Sequence, residues 1–511
     1  MATSEDIANY RLTDGIAVLA IDSPPVNALG HKVRIALQEG VARAIADESA
    51  LAMVLICLGR TFFAGADVTE IGKPILPPLL GDVMAQFEVS PKPIVSAIHG
   101  TALGGGLELA LAGHYRVAVP SAVVGLPEVA LGLLPGAGGT QRLPRLIGVA
   151  AAIEVIGLGR HVTAPEARDL GLIDAIVPED TLEDSAVAFA RDLLKDDAAL
   201  PRIRDMSTDL SIDQARPLLA AFRDRHPELF IGLKAAAGVL EAIEAAITLP
   251  FDRGIERERA ISRALVASPE SAAQRHLFFA ERAAGKLPGA EREKPSGGSL
   301  AVIDSDGSFD EYVAALDRSD ADVVVATRFL DRFEEMAGRV KRPETMVGVT
   351  EVENVTEIAV GARTLPSAAL QVAALLRAKK RPAIFVTPAI GGVLERLKET
   401  IFASVAALVA DGVPEGDIAA AGRAFGLPPS LLPAGDGIAQ AAIEARLLQP
   451  ILAETLALQD ADVVMRGSDV DFAMVQAGLW PIWRGGPAFM AERLSRDATD
   501  AAASNADRGN A

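Results

Sequence analysis

Two glutamates in one short stretch of the chain stand in a setting that favours chemistry. Residues 101–142 read TALGGGLELALAGHYRVAVPSAVVGLPEVALGLLPGAGGTQR, in which Glu108 and Glu128 both have apolar neighbours. Removal from water raises the pKa of a carboxyl group towards neutral pH. Two acids in one pocket would also push each other's titrations apart. The pattern is typical of a pair that accepts and donates a proton.

The glycine run Gly104-Gly105-Gly106 ends two residues before Glu108 and leads into an apolar stretch, 107–112, that predicts a helix. The N–H groups of a first helical turn are unpaired, and glycine lets a ligand approach the backbone closely. With the helix dipole, these groups favour a developing negative charge, so the run predicts an oxyanion site. On spacing alone, two alternatives stay open: close packing by the glycines, and a first-turn or paired core charge for each glutamate.

The cysteine, the histidines and a second glycine-rich stretch do not indicate a further reactive site. The single cysteine, Cys57, lies in the apolar run LAMVLICLG, which predicts a buried strand thiol and excludes an intrachain disulfide. The six histidines show no metal-ligand spacing such as HExxH, so no metal is predicted. The stretch GAGGTQ at 136–141 resembles a dinucleotide fingerprint, but Gln141 replaces the last glycine and Pro135 precedes it, so we discard that interpretation.

Length and charge exclude several classes of protein. A chain of 511 residues is too long for one core, so two to four domains are expected. A formal net charge of −19 disfavours nucleic acid and anionic membranes as partners. No apolar run reaches about 18 residues, and the N-terminus has early acids and no signal-peptide core, so we predict no membrane insertion and a cytoplasmic location.

The first part of the chain alternates strand and helix patterns, which predicts an α/β fold. Strands are expected within 15–22, 51–59 and 92–100, and a helix over 31–46. Between the last two strands, residues 64–67 read AGAD and predict a tight turn into a helix, a weak signal without further context.

Three blocks in order resemble one family: ALGGGLELALAGHYR, GLPEVALGLLPGAGGTQRLPRLIG and GRHVTAPEARDLGLIDAIV. They are similar to the crotonase (enoyl-CoA hydratase/isomerase) family, and most of all to the hydratase part of the multifunctional enzymes of fatty-acid β-oxidation. The resemblance implies a ββα spiral over 1–195, followed by closing and connector helices over 196–290. It also implies that the N–H groups of Ala66 and Gly105 bind a thioester oxygen, with Ala64 in the same substrate-binding turn.

The activity that the resemblance implies is hydration of a 2-enoyl-CoA thioester. Glu108 would orient and deprotonate water, and Glu128 would donate the proton to the α-carbon. The CoA thioester is then the substrate, and no cofactor is expected. Two alternatives remain: Δ3,Δ2-enoyl-CoA isomerisation, alone or in addition, and a non-catalytic acyl-CoA-binding or interaction protein. Oligomeric state stays open between a monomer and a small homo-oligomer.

The second half resembles the dehydrogenase part of the same multifunctional enzymes in a shortened form. A Pro/Gly linker predicts a domain boundary at 286–299, and a degenerate Rossmann-like segment is expected over 298–385. Acids replace its glycine fingerprint, at Asp304, Asp306 and Asp310, where they would repel a pyrophosphate.

Two further departures fall at positions of the dehydrogenase active site. Thr350 stands where the resemblance implies a histidine, and Val393 where it implies an asparagine, although Glu357 matches the family's glutamate. We therefore expect no NAD binding and no dehydrogenase activity.

A repeat marks the C-terminal part, 386–496. Arg396-Leu397 recurs as Arg446-Leu447, and GDIAAAGRAFGLP echoes SDVDFAMVQAGLWP, with Asp417 and Asp469 at matching positions. The repeat predicts two copies of one helical unit. They resemble the paired C-terminal helical domains of hydroxyacyl-CoA dehydrogenases. The small, polar residues of 497–511 predict a disordered tail.

Overall fold

The computed structural model describes residues 7–70, 73–74, 76–195, 200–304, 308–388 and 392–509. Asp306 lies outside this part of the chain. The chain forms two compact units, Met1–Ser271 and Ala272–Ala511. This division comes earlier than the linker predicts, because Ala280, Ala284, Leu287 and Ala290 are buried in the cores of the second unit.

In the first unit, the described residues form strands and helices in alternation. The strands are β1 Ala8–Thr13, β2 Ile16–Ile21, β3 Ala52–Cys57, β4 Ile94–Ile98, β5 Thr101–Leu103, β6 Tyr115–Ala118, β7 Val123–Gly125, β8 His161–Thr163 and β9 Ala175–Ile176. The helices are α1 His31–Ala46, α2 Leu80–Val89, α3 Gly105–Ala112, α4 Gly139–Ile147, α5 Val149–Gly157, α6 Ala164–Asp169, α7 Leu182–Leu193, α8 Ile212–Arg225, α9 Ala235–Thr248 and α10 Phe251–Val266.

Two sheets make up the first unit. The larger has the order β1-β2-β3-β4-β6-β9 and is parallel except for the β1–β2 pair. The smaller has the order β5-β7-β8. Every residue of β2, β3 and β4 is buried, as expected for parallel strands covered on both faces. The predicted helix over 31–46, the three predicted strands and the α/β class are confirmed.

The second unit contains a smaller sheet and long helices. Its described strands are β10 Leu300–Ile303, β11 Val323–Ala326, β12 Met346–Val352, β13 Val355–Ala359 and β14 Ala383–Val386. Its described helices are α11 Pro269–Ala284, which begins in the first unit, α12 Phe309–Asp317, α13 Phe333–Ala337, α14 Pro366–Ala378, α15 Val393–Ala410, α16 Glu415–Phe425, α17 Ala441–Asp460, α18 Gly467–Gln476 and α19 Pro487–Gly509.

The sheet of the second unit pairs its strands in the order in which the chain makes them, β10-β11-β12-β13-β14. The β12–β13 pair is an antiparallel hairpin, and the other pairs are parallel. A dinucleotide-binding sheet reverses its strand order and binds its ligand at that point. The described strands of this sheet show no such reversal.

The repeat in the sequence corresponds to a repeated pair of helices. The long helices α15 and α17 are each followed by a shorter one, α16 and α18. The repeated arginines link the copies, since Arg396 forms an ion pair with Glu454 and Arg446 with Asp411. Helix α19 continues to Gly509, which differs from the predicted tail because its alanine-rich sequence has a high helix propensity. Among the described residues, no helix is both long and apolar enough to cross a membrane.

Candidate active site

The turn at 64–66 and the start of helix α3 bring two backbone amides together. A methyl group added at Gly105 would lie 3.3 Å from the amide nitrogen of Ala66. Gly105 is the first residue of α3, so its N–H has no partner within the helix. No described residue accepts a hydrogen bond from either N–H. The pair that the resemblance predicts is therefore adjacent and available to a ligand.

Glycine is required beside these amides for steric reasons. A methyl group at Gly106 would stand 2.2 Å from the carbonyl oxygen of Phe63, and that oxygen accepts a bond from the N–H of Leu103 at 3.1 Å. Ala64 is held by its N–H bond to the Val26 carbonyl at 3.2 Å. Gly65 has φ +127°, a value that side-chain-bearing residues rarely adopt. Backbone contacts thus fix the turn against the helix.

Glu108 is buried and anchored through one oxygen. Its Oε1 accepts bonds from the N–H groups of Ala137 and Gly139, each at 2.8 Å. Burial raises the pKa of Glu108, while these two N–H groups and the charge of Arg142 act to lower it. No described residue donates to Oε2, which leaves that oxygen for a water molecule or substrate.

Glu128 begins a short 3₁₀ helix, Glu128–Leu131, and its carboxylate lies against Gly104. A methyl group at Gly104 would be 2.9 Å from its Oε1. Its Oε2 is buried, and no described residue forms a hydrogen bond with it. Burial raises the pKa of Glu128 well above its ordinary value, and the charges of Glu108 and Glu258 raise it further. This setting favours the protonated acid.

The structure adds a third carboxylate, Glu258 on helix α10, that sequence reasoning missed. It is fully buried, and its Oε1 accepts from the N–H of Gly138 at 2.7 Å. Its Oε2 accepts from the N–H of Thr140 at 3.1 Å and from the Thr140 hydroxyl at 2.5 Å. Burial first, and then the charge of Glu108, raise the pKa of Glu258 to about 8.

A profile of the family described as "Enoyl-CoA hydratase/isomerase" matches residues 11–225. These residues are therefore similar to the enoyl-CoA hydratase/isomerase family. This region contains both glutamates, the turn at 64–67 and the glycine run, so the resemblance seen in the sequence is confirmed.

Curated proteins are similar to somewhat more than half of the chain. The "Peroxisomal bifunctional enzyme" of Danio rerio is 40% identical over 286 residues, which are 55% of this chain and 39% of the relative. The human protein of the same name is 38% identical over 298 residues, 57% of this chain and 40% of the relative. The chain thus matches about two fifths of the length of these relatives.

Solved structures of enoyl-CoA hydratases are similar to about half of the chain. An enoyl-CoA hydratase subunit I from Geobacillus kaustophilus HTA426 is 29% identical and covers 53% of this chain and 94% of its own, with a TM-score of 0.35.

The turn that we discarded as a nucleotide motif has another role in the enoyl-CoA hydratase/isomerase region. Four consecutive N–H groups, from Ala137 to Thr140, bind Glu108 and Glu258 alternately. Small residues before a helix can form such an anion-binding turn, a signal that the sequence does carry. Glu258 itself gives no signal, because ERER at 256–259 has the appearance of an exposed helix face.

A buried ion pair supports the same turn from its other side. The guanidinium of Arg142 donates to Glu88 Oε1 through Nε at 2.9 Å and through a terminal nitrogen at 2.7 Å. It also donates to the carbonyl oxygen of Ala137 at 2.9 Å. Arg204 forms a second ion pair with Glu88. This arrangement keeps a positive charge close to Glu108.

The positions singled out in the second half form a separate group. Thr350 lies directly opposite Glu357 in the β12–β13 hairpin. The buried Glu357 carboxylate accepts bonds from the N–H groups of Val393 and Leu394, the first residues of α15. This glutamate therefore caps a helix, and burial raises its pKa.

Two predictions about other reactive groups can be placed on the structure. Cys57 is buried in β3, as predicted, and burial raises the pKa of its thiol. Among the described residues, no three or more His, Cys, Asp or Glu side chains are grouped so as to hold a metal ion.

Proposed function

We propose that the first unit adds water across the 2,3 double bond of an enoyl-CoA thioester. The observation that carries this proposal is the contrast between its two acids. Burial raises the pKa of Glu108, but the two N–H bonds that it accepts and the charge of Arg142 oppose this shift by favouring the ionised form. Glu128 is buried, no described residue forms a hydrogen bond with its Oε2, and two other carboxylates lie near it, all of which favours its protonated form. A base and an acid in one site are what hydration requires.

The reaction follows from these protonation states. Glu108 takes a proton from water through its free Oε2 as the water oxygen forms a bond to the β-carbon. The π electrons of the double bond move to give an enolate, whose oxygen is held by the N–H groups of Ala66 and Gly105. Glu128 then transfers its proton to the α-carbon. At this point Glu108 is protonated and Glu128 is ionised. Transfer of one proton from Glu108 to Glu128 restores both groups, so in net balance both hydrogens of water are then in the product.

The two amides supply the electrostatic part of catalysis. They are in place before the substrate arrives, so no reorganisation is needed when negative charge develops on the oxygen. Loss of one such donor commonly costs about 3 kcal/mol of transition-state stabilisation. Ala66 and Gly105 act through backbone N–H groups, so the geometry of the turn and the glycine run, and not the side chains, carries this contribution.

Isomerisation of a Δ3-enoyl-CoA to the Δ2 isomer is a second candidate, favoured by the position of Glu128. Its carboxylate touches Gly104, which directly precedes the Gly105 amide. An acid beside the α-carbon can remove a proton there and return it at the γ-carbon while the enolate rests on the two amides. This reaction uses no water and requires only one acid.

The test is a hydratase assay with 2-enoyl-CoA thioesters of differing chain length and branching. Hydration removes the conjugated double bond, so the ultraviolet absorbance of the thioester falls. We expect the wild-type chain to consume at least one substrate and the double variant Glu108→Gln, Glu128→Gln to consume none. Binding of acyl-CoA without turnover by the wild type would favour the non-catalytic interpretation.

We propose further that the second unit binds no NAD. Support comes from the sequential strand order, from the acids after β10 and from Thr350 opposite Glu357. The absence of any other cofactor, the cytoplasmic location and the oligomeric state of the protein stay predictions.

A further inference from the structure

The turn 137–140 gives alternate N–H groups to two different carboxylates. Ala137 and Gly139 donate to Glu108, while Gly138 and Thr140 donate to Glu258. We propose that Glu258 is a positioning residue for the hydration reaction: it holds this turn so that Glu108 keeps one oxygen anchored and the other free, and its charge keeps Glu128 protonated. The inference rests on the proposed function and adds a residue outside the matched region, 11–225.

The position of Glu258 explains why it acts on Glu108. Without it, the N–H groups of Gly138 and Thr140 would have no buried acceptor, and an unpaired buried N–H is costly. The turn would then rotate to pair them, and among the described residues the other carboxylate bound to it is that of Glu108. A shift of about 1 Å at a reacting group can reduce a rate by about 100-fold.

Glu258 also adds a charge to the site when it ionises. The charged groups that act on it are Glu108 from α3 and Arg142 from α4, and its own charge acts on Glu128. Helix α9 packs on the same helix, but its Glu241 forms an ion pair with Arg257 at the surface. The electrostatic effect of Glu258 is therefore exerted mainly on the two proposed catalytic acids.

This coupling has a defined direction. The Glu258 carboxyl has its pKa at about 8, so it becomes negative as pH rises through that value. The new charge raises the pKa of Glu128, so Glu128 stays protonated, and ready to donate, up to a higher pH. In the wild type, ionised Glu258 should therefore maintain activity at alkaline pH, whereas a residue that cannot ionise should not.

The test compares Glu258→Gln with the wild type and with Glu256→Gln. Glu256 lies on the same helix, is exposed and pairs with Arg253, so it is a matched control. For Glu258→Gln we expect kcat to fall at least ~10-fold with KM changed less than about twofold, as for a misplaced reacting group. We also expect the alkaline limb of its kcat profile to move to lower pH. The control should show neither change.

A purely structural role would lower kcat equally at every pH, so an unmoved alkaline limb would overturn the proposal. If Glu258→Gln does not fold, Thr140→Val replaces it. That variant removes the hydroxyl that favours ionised Glu258, so the limb should move in the same direction but less. A limb that does not move, or moves to higher pH, would also overturn the proposal.

An infrared titration separates this proposal from the proposed function. Protonated carboxyl groups have their own C=O band, and Glu258→Gln should remove one such band at neutral pH. The band that Glu128→Gln removes should titrate at lower pH in the Glu258→Gln background. A wild type that hydrates no thioester would refute the hydratase, whereas unchanged infrared titration would refute the role of Glu258.

Discussion

The carboxylate of Glu128 lies directly against the α-carbon of Gly104. Its Oε1 would be 2.9 Å from a methyl group placed there, and Gly104 has φ +52° and ψ −125°. The residue that follows supplies one of the two free amides. A single glycine therefore makes room for the proposed acid and sets the direction of the backbone into helix α3.

We expect Gly104→Ala to reduce the rate of hydration severely. The added methyl group would displace Glu128, and the backbone at this φ would be strained by about 1–3 kcal/mol. Activity should fall at least ~100-fold, since the acid would be misplaced. The measurements are kcat for a 2-enoyl-CoA and the free energy of unfolding in denaturant.

Gly171→Ala provides the control for backbone strain alone. Gly171 has φ +77°, and a methyl group there would meet no atom within 4 Å. This variant should lose stability but keep its kcat. Similar kcat values for the two variants would contradict the contact between Gly104 and Glu128 as the cause.

Sequence reasoning succeeded where a pattern is local. The first-turn position of Glu108 follows from glycines before an apolar run, whereas the pairing of Thr350 with Glu357 in a hairpin emerges only from the structure. Glu258 could not be found in this way, because it lies 118 residues from the Thr140 that it binds. Its burial depends on how α10 packs, and nothing in ERER distinguishes the buried acid from the exposed one.

The two glutamates should differ in the reactions that they support. Glu108→Gln and Glu128→Gln should each reduce hydration at least ~100-fold, the low end for general acid–base catalysis. Isomerisation of a 3-enoyl-CoA should depend more on Glu128, because a single acid beside the α-carbon is enough. The rates of both reactions for the two variants provide the measurement. Equal losses of isomerisation, or no wild-type isomerisation, would count against this assignment of Glu128.

The second unit should give no heat in calorimetric titration with NADH, and the chain should not oxidise 3-hydroxyacyl-CoA. The physical reason is that the described strands of its sheet show no reversal of order at which a dinucleotide could bind, and that acids replace the glycine fingerprint in the sequence. An NAD-dependent dehydrogenase titrated in parallel provides the positive control. Micromolar binding would refute the expectation.

His114 should make the first unit sensitive to mild acid. It is buried, and its Nδ1 accepts a bond from the N–H of Ile94 at 3.1 Å. Burial first, and then the charges of Arg202 and Arg116, lower its pKa from 6.5 to about 4. Because the folded pKa lies below the unfolded value, the stabilisation is present above pH 6.5 and is lost as pH falls towards 4.

Denaturant unfolding at several pH values checks this expectation against His114→Asn. Asparagine can still accept from Ile94 through Oδ1 but does not titrate, so the loss of stability between about pH 6.5 and 4 should be smaller than in the wild type. An equal loss in both proteins would show that other groups cause the acid sensitivity.

The fold of the second half could be predicted from the sequence only in part. The repeat predicts two helical units, and the structure contains two pairs of helices. The strand order of the sheet, however, is a property of long-range pairing that no local pattern reports. The domain boundary after Ser271 could not be predicted either. The Pro/Gly linker indicates only a change of composition. The core to which a helix belongs is decided by packing, here that of Ala280 and Ala284.

The strand order of the second sheet also has a consequence for folding. Each strand pairs with its neighbour along the chain, so a short stretch of polypeptide suffices to bring any two partners together. The entropy lost in closing each loop is small, and sheets of such local connections form quickly. In the first unit, by contrast, β6 pairs with β9 across residues 119–174. Closing this longer loop costs more entropy, so this edge of the sheet is expected to form later.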